Sequence, residues 1–213
     1  MRLKDALSSV GTAFFGSLKP RYEEKAPYAI RGDVFIKMRD ARTQALQLDK
    51  ALRNLIVKDA SILIARLVKD SSEPPKGAFV LAVGTGDIGW NPLSPPAPTN
   101  TQRALYSELT RKTFSTTTFI DASGIPTSIP TNVVDFTTVF TEAEAVGPLV
   151  EMALLGGNIS TNLSVRNPVT PPNGPYSALV DLTTKETAIN YLIFPVINKP
   201  ATSTLEITWR LSF

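Results

Sequence analysis

The sequence contains no cysteine and no histidine among its 213 residues. Without cysteine there is no disulfide, no zinc–thiolate site and no thiol nucleophile. Without histidine the chain lacks the usual general base and the commonest metal ligand. These absences exclude most hydrolase and metalloenzyme mechanisms and leave only carboxylate chemistry. We therefore expect no enzyme activity, no cofactor and no metal site.

Long apolar runs are also lacking. No stretch approaches the roughly 18–20 uninterrupted apolar residues of a membrane span. Behind Arg2 and Lys4, Asp5 and nearby serines interrupt the apolar region that a secretory signal requires. We expect a chain that is made and kept in a cytoplasm, or assembled there into something larger, and that has no membrane partner.

The one carboxylate cluster in the sequence comprises Glu142, Glu144 and Glu151. Paired carboxylates act as acid and base in glycoside hydrolysis. Here Glu142 and Glu144 end a predicted strand and enter a loop at Gly147, and no Trp or Tyr that could hold a sugar lies nearby in sequence. We interpret the cluster as a solvated strand end, with no catalytic residue and no small-molecule substrate.

Three glycines, Gly84, Gly86 and Gly89, have the G-x-G-x-x-G spacing of dinucleotide-binding loops. That motif binds a pyrophosphate through the amide groups of a helix that begins at the glycines. Here Trp90-Asn91-Pro92 and further prolines follow, and proline removes an amide hydrogen and clashes inside a helix. We expect a glycine-rich loop that leads into an extended proline segment, without a nucleotide.

The clearest structural pattern is the alternation of apolar and polar residues over 204–213, which predicts a half-buried strand near the centre of a β-sandwich. We predict that this strand forms a closing hairpin with a strand at 191–197. The predicted core residues are Phe136, Phe140, Phe194, Leu205, Ile207, Trp209, Leu211 and Phe213.

Other strands and helices follow from alternation, short apolar runs and turn residues. The predicted strands are 28–37, 46–57, 78–83, 112–120, 132–141 and 149–155. Helices are predicted at 59–69, with Asp59 as the N-cap, and at 101–109. Because helices and strands do not alternate, the predicted fold class is mainly β: an antiparallel β-sandwich with two or three short helices and an N-terminal helical arm.

The N-terminal region has the features of an arm. Helical spacing over residues 3–18 puts five apolar side chains on one face: Leu3, Leu7, Val10, Phe14 and Leu18. Pro20 and Pro27 bracket a charged connector. We predict an N-terminal arm and linker at residues 1–26 and a β-sandwich domain with helical additions at 27–213. Docking of the arm on a neighbouring subunit and docking on its own domain both remain open.

The charge is unevenly distributed along the chain. Lys and Arg outnumber Asp and Glu through Lys76, and the balance reverses after it. A basic region can contact nucleic acid or an acidic protein surface. The basic residues are interleaved with acids and lack the aromatic partners of single-strand binders. A solvated charged face is therefore the favoured interpretation, and nucleic acid is the weaker alternative.

From Gly77 onward, the order of elements resembles a group of tailed-bacteriophage structural proteins. The matching segments are Val83–Gly86, Leu105–Lys112, Val150–Gly157, Phe194–Pro200 and the ending L-x-I-x-W-x-L-x-F at Leu205–Phe213. Such proteins are tail, collar or fibre-attachment components of virions, and no catalytic residue is carried over from them. The resemblance implies a virion protein that is made in the host cytoplasm.

We therefore hypothesise a non-enzymatic structural component of a phage particle, forming a homo-oligomeric ring or collar at the neck, tail or baseplate. It would bind copies of itself and other virion proteins through its arm and long Pro-rich loops. The expected interface residues are Leu3, Leu7, Val10, Phe14, Leu18, Trp90 and Tyr176. The alternatives are a capsid decoration protein and a carbohydrate-binding β-sandwich module of a tail fibre, with Trp90 and Tyr176 as the loop aromatics.

Overall fold

The computed structural model describes residues 30–69, 76–165, 172–173, 180–181 and 184–213. The arm residues Leu3, Leu7, Val10, Phe14 and Leu18 lie outside this part of the chain, as does Tyr176. The helical arm and the division of the chain at residue 26 therefore stay predictions.

The described residues form two antiparallel sheets, which agrees with the mainly β class predicted from the sequence. Sheet A contains, in spatial order, β2 (Leu46–Arg53), β1 (Arg31–Asp40), β11 (Ser203–Ser212), β8 (Val133–Phe140), β6 (Thr116–Ile120) and β7 (Pro126–Thr127). Sheet B contains, in spatial order, β3 (Leu55–Ile56), β10 (Glu186–Lys199), β9 (Gly147–Gly157), β4 (Lys76–Gly84) and β5 (Glu108–Thr113).

The main core lies between the two sheets, as in a β-sandwich. Its buried members from sheet A include Val34, Ile36, Phe140, Leu205, Ile207, Trp209 and Leu211. Its buried members from sheet B include Leu81, Val83, Leu149, Met152, Leu154, Leu192 and Phe194. Phe136 is only partly buried and packs against this cluster. Alternate residues of each strand thus face the other sheet, which is the physical basis of the period of two.

Strand β11 lies inside sheet A, between β1 and β8, and pairs with both along its length. Leu205, Ile207, Trp209 and Leu211 are each at most 3% exposed. The expectation that Phe213 belongs to the core is wrong, since its side chain is 40% exposed. Phe213 lies one residue beyond the strand, although its amide still donates to the Asn132 carbonyl at 2.9 Å.

The predicted closing hairpin is wrong. Strands β10 and β11 follow each other in the chain but belong to different sheets. At the crossing, Lys199 still pairs with Gly147 of sheet B, whereas Ser203 already pairs with Asp40 of sheet A. The connection is therefore an arch between the sheets. Alternation shows which face of a strand is buried but does not show which strand lies beside it.

Two other predicted strands are divided in the same way. The segment 46–57 forms β2 in sheet A and β3 in sheet B, with Asn54 between them. The segment 112–120 belongs to β5 in sheet B and β6 in sheet A, and Phe114 packs against the core where the chain crosses. At both crossings the chain itself passes from one sheet to the other along a side of the sandwich.

One α-helix of more than one turn, α1 (Lys58–Lys69), is present in the described residues. Ala60 and Leu63 bury its inner face in the main core. The helix begins at Lys58, so Asp59 lies in its first turn rather than at the predicted N-cap, where its charge still favours the helix dipole. A short 3-10 helix covers Leu163–Val165.

The predicted helix at 101–109 is wrong. This segment is irregular until β5 begins at Glu108. The amides of Arg103 and Ala104 donate to the Pro172 carbonyl at 2.7 and 3.3 Å, and those of Tyr106 and Ser107 donate to a side chain of sheet B. A helix would direct most of these amides to carbonyls four residues earlier. Here these amides instead donate hydrogen bonds to groups that are distant in the sequence.

A second apolar cluster covers the outer face of sheet B. It joins Val80 and Ala82 of β4, Ala153 and Leu155 of β9, and Ala188 and Tyr191 of β10 with Val57 and Leu105. Leu105 belongs to the long β4–β5 connection, residues 85–107, which we call the β4–β5 loop. Sheet B is therefore buried on both faces where this loop lies over it, and this covering positions the candidate site.

Candidate functional site

The β4–β5 loop begins with the glycine motif of the sequence. No helix begins there: the chain turns at Asp87, whose carbonyl accepts from the Trp90 amide at 3.0 Å. Gly86 has a φ of 72°, and a Cβ at this position would collide with the Trp90 ring. The glycine is thus required for the loop to fold back under its own aromatic residue.

Both ends of this loop are held by one buried carboxylate, Glu151 of β9. It is 0% exposed. Its oxygens accept from the amides of Gly86, Tyr106 and Ser107 at 3.2, 3.0 and 2.8 Å. The Tyr191 hydroxyl donates a fourth hydrogen bond at 2.6 Å. A buried carboxylate is tolerated where donors satisfy it in this way, so Glu151 fixes the loop to sheet B.

The two tyrosines beside Glu151 keep their protons. Burial raises the pKa of Tyr191, and the charge of Glu151 and its hydrogen bond raise it further. Burial also raises the pKa of Tyr106, with added contributions from the charges of Asp87 and Glu151. Tyr191 is therefore a fixed hydrogen-bond donor and not a proton carrier at neutral pH.

The interpretation of the glutamate cluster as one solvated strand end is wrong for Glu151. Glu142 is exposed, and Glu144 is partly exposed. Glu144 bonds Lys112 at 2.6 Å, which is the main reason that its pKa is lowered. Glu151 instead lies inside β9. The sequence indicates this burial, because Glu151 is the only charged residue in the apolar run from Leu149 to Leu155.

A second buried polar network joins β5, the strand that follows the loop, to β10 of the same sheet. Arg111 of β5 bonds Glu108 at 2.5 and 2.7 Å and Glu186 of β10 at 2.5 and 2.8 Å. It also donates to the Ser160 carbonyl at 2.9 Å. Burial opposes the charge of Arg111, but the two carboxylates outweigh burial and raise its pKa. Arg111 therefore keeps its charge in this buried position because two carboxylates lie beside it.

Above these anchors the loop presents apolar side chains to the surface. Ile88 is 104% exposed and Leu93 is 76% exposed. Beside them, Trp90 and Tyr106 form an edge-to-face pair with centroids 4.8 Å apart. The Pro92 carbonyl accepts from the Val196 amide at 2.8 Å, which ties the middle of the loop to β10. We call this exposed apolar segment, Ile88 to Leu93, the apolar ridge.

A cleft of about 480 Å³ lies along this ridge, and its lining includes Thr85, Asp87, Trp90 and Tyr106. The sequence pattern indicated Trp90 in this region, placed Glu151 at a solvated strand end, and gave no role to Tyr191 or Arg111. A glutamate or arginine in a strand normally points to solvent, and only the covering loop changes that environment here.

Comparisons of the chain with protein-family models, curated protein sequences and solved structures gave no significant match. Within the described ranges, no three acidic side chains are grouped so that they could hold a metal ion. No helix in the part of the chain that the structure describes is long and apolar enough to cross a membrane. The functional interpretation therefore depends on the sequence pattern and the geometry above.

Proposed function

We propose that this chain is a non-enzymatic structural component of a bacteriophage particle, in which copies of it form a ring or collar at the neck, tail or baseplate. Contacts between copies would use the N-terminal arm and the proline-rich β4–β5 loop. Other virion proteins would bind to the finished ring, and the assembled particle would be its location.

The observation that carries this proposal is the anchored β4–β5 loop. Exposed apolar side chains such as Ile88 and Leu93 commonly mark a binding surface when they are grouped. Loops usually lose conformational entropy on binding. Here Glu151 holds both ends of the loop before any partner binds. The loop should therefore lose little further conformational entropy on binding. A surface of this kind suits repeated contacts between identical copies.

Native mass spectrometry and light scattering of the full chain test this proposal. We expect a single closed homo-oligomer that negative-stain electron microscopy resolves as a ring. Ile88→Asp should weaken assembly without changing the unfolding midpoint, because Ile88 has no packing to lose. Ile129→Asp is the control, since Ile129 is 70% exposed on the sheet A side. A chain that stays monomeric up to high concentration would contradict the proposal.

Deletion of residues 1–26 tests the arm separately. The truncated chain should assemble more weakly and still unfold cooperatively, because the described sandwich begins at residue 30. Electron microscopy of a purified particle would then distinguish a neck, tail or baseplate position from that of a capsid decoration protein. Equal assembly of the truncated and full chains would show that the arm has no role in oligomerisation.

The cleft beside Trp90 favours a second candidate, a carbohydrate-binding module of a tail fibre. An aromatic ring next to a carboxylate such as Asp87 suits a sugar, and the cleft has the volume of common small-ligand sites. In this candidate Trp90→Ala should abolish glycan binding, whereas in the ring proposal, where Trp90 is an expected interface residue, it should weaken assembly. A glycan array without binding removes this candidate.

A further inference from the structure

One end of the main core is open to the outside. A cavity of about 130 Å³ lies between α1 and the ends of both sheets. Every residue lining it is aliphatic, aromatic or glycine, including Ala60, Ile64 and Leu67 of α1 and Leu211 of β11. Leu67 and Phe213 stand at its rim, and each is 40% exposed. We call this feature the α1 groove.

The groove has the size and chemistry for one aromatic ring. An apolar cavity of roughly 150 Å³ stays dry and binds benzene. Water gains no hydrogen bonds from walls without polar groups. An apolar side chain, in contrast, would recover the contacts that the lining lacks.

The chain itself supplies a matching segment. The structure describes the chain from Ile30, and Ile30 is part of the groove lining. The 29 residues before it include the amphipathic stretch 3–18, whose apolar face carries a single aromatic residue, Phe14. A segment with one ring on its apolar face therefore leads into the fold at the rim of a cavity that fits one ring.

The linker favours a groove on another copy. Proline disfavours helical backbone at the residue before it, so Pro20 and Pro27 predict an extended linker from the sequence. Eleven residues separate Leu18 from Ile30, and at about 3.1 Å per residue an extended linker would carry the segment roughly 34 Å away from the rim. Its own groove lies beside Ile30, so a linker of this kind directs the segment away from it and towards a neighbour.

We propose that the α1 groove is the receptor for the N-terminal segment of a neighbouring copy, with Phe14 as the side chain that enters the cavity. The inference rests on the proposed function, because it requires that copies associate. It adds the acceptor site, the anchoring residue and the direction of exchange between subunits.

Two charge substitutions in the full chain test the groove. Phe14→Asp removes the ring, and Leu67→Glu places a charge at the rim without entering the core. A fully buried Phe side chain accounts for roughly a 10- to 100-fold change in a binding constant. Each variant should therefore weaken assembly at least tenfold in sedimentation or light scattering. The matched controls, Phe15→Asp and Ala65→Glu, change a neighbouring residue off each apolar face and should assemble normally.

The outcomes separate this inference from the proposed function. An oligomer that both variants leave unchanged overturns the groove assignment and leaves the proposed function standing. Loss of assembly with Phe14→Asp but not with Leu67→Glu shows that the segment docks elsewhere, which also overturns it. A wild-type chain that is monomeric at all concentrations overturns the proposed function itself.

Because the chain has no cysteine, disulfide cross-linking between introduced cysteines can test which copy receives the segment. The Phe15→Cys, Leu67→Cys double variant keeps the Phe14 ring and, oxidised as the oligomer, should give covalent dimers and larger species on a denaturing gel. Only monomers with an internal disulfide would show that the segment docks on its own chain, and would overturn the exchange between copies. The Phe15→Cys, Ala65→Cys double variant is the control and should cross-link poorly.

Discussion

Strands β9 and β11 are both interior strands, yet their surroundings differ. In β11 the apolar side chains are buried while the residues between them reach the surface, apart from the buried first residue. In β9 every residue from Leu149 to Gly157 is buried. The difference arises because the β4–β5 loop covers sheet B, whereas the outer face of sheet A meets solvent. A strand that is covered on both faces loses its alternation and becomes a nearly continuous apolar run.

Charged side chains also differ between the exposed outer face of sheet A and the covered outer face of sheet B. On the outer face of sheet A, Asp135 of β8 pairs with Arg210 of β11 at 2.7 and 2.8 Å, and Arg210 also lies 5.4 Å from the ring centre of Phe35. The Arg210 side chain is still 27% exposed. On the covered side of sheet B, Glu151 and Arg111 are almost completely buried. Similar ionic groups should therefore contribute very different amounts to stability, and the following predictions test that contrast.

Arg111→Met should have the largest effect. It leaves the carboxylates of Glu108 and Glu186 buried without their partner, and breaking a buried ionic network in this way costs about 3–5 kcal/mol. Urea unfolding at pH 7 measures the loss. Arg42→Met, at an exposed turn, is the control, and an equal loss in both variants would contradict the role of the network.

Glu151→Ala should cost about 3 kcal/mol, because the amides of Gly86, Tyr106 and Ser107 lose their acceptor in a buried site. Amide hydrogen exchange should accelerate at these three residues and stay unchanged along β11. Glu151→Gln keeps the size and one acceptor oxygen, so its loss should be smaller. Exchange that accelerates equally in both sheets would show that the carboxylate does not act on the loop.

Tyr191→Phe should change how stability depends on alkaline pH. An unfolded tyrosine titrates near pH 10, whereas the folded pKa of Tyr191 is raised. The stabilisation is therefore fully present below about pH 10 and falls above it by about 1.4 kcal/mol per pH unit, because the unfolded state alone loses the proton. Denaturant unfolding at several alkaline pH values should give a flatter profile for the variant. Parallel profiles would contradict this prediction.

Asp135→Asn should have the smallest effect, about 0.2–1 kcal/mol, as expected for a partly solvated cross-strand pair. The difference from wild type should decrease further in about 1 M salt, where the screening length is only about 3 Å. A loss as large as that of Arg111→Met would remove the contrast between the two faces.

The predictions from sequence succeeded where one physical cause dominates. The alternation over 204–213 depends only on which face of β11 is buried, and it placed Leu205, Ile207 and Trp209 correctly. The helix at 59–69 was also found, because the broad apolar face of α1 has no other explanation in the sequence.

Prediction failed where distant residues decide the conformation. The segment 101–109 has apolar residues at helical spacing, but Leu105 is buried against sheet B and the Pro172 carbonyl and Glu151 take the amides. In the same way, the adjacency of β10 and β11 in the chain suggested a hairpin, although each strand has partners from other regions. The isolated charge in the apolar run Leu149–Leu155 indicates that Glu151 is buried, but its hydrogen-bond donors come from that same loop and no local pattern identifies them.

The position of β11 in sheet A has a consequence for how the protein is synthesised. Its neighbours β1 and β8 leave the ribosome first, and the starts of β1 and β11 lie at residues 31 and 203. At 5–20 residues per second, translation of that interval takes roughly 10–30 s. During this time the edge of β1 that will receive β11 is unpaired, and the matching edge of β8 is unpaired for the last part of it; both can associate with other nascent chains. Aggregation should therefore be looked for among nascent chains on polysomes that translate this protein. A chaperone that shields strand edges should raise the yield of folded protein.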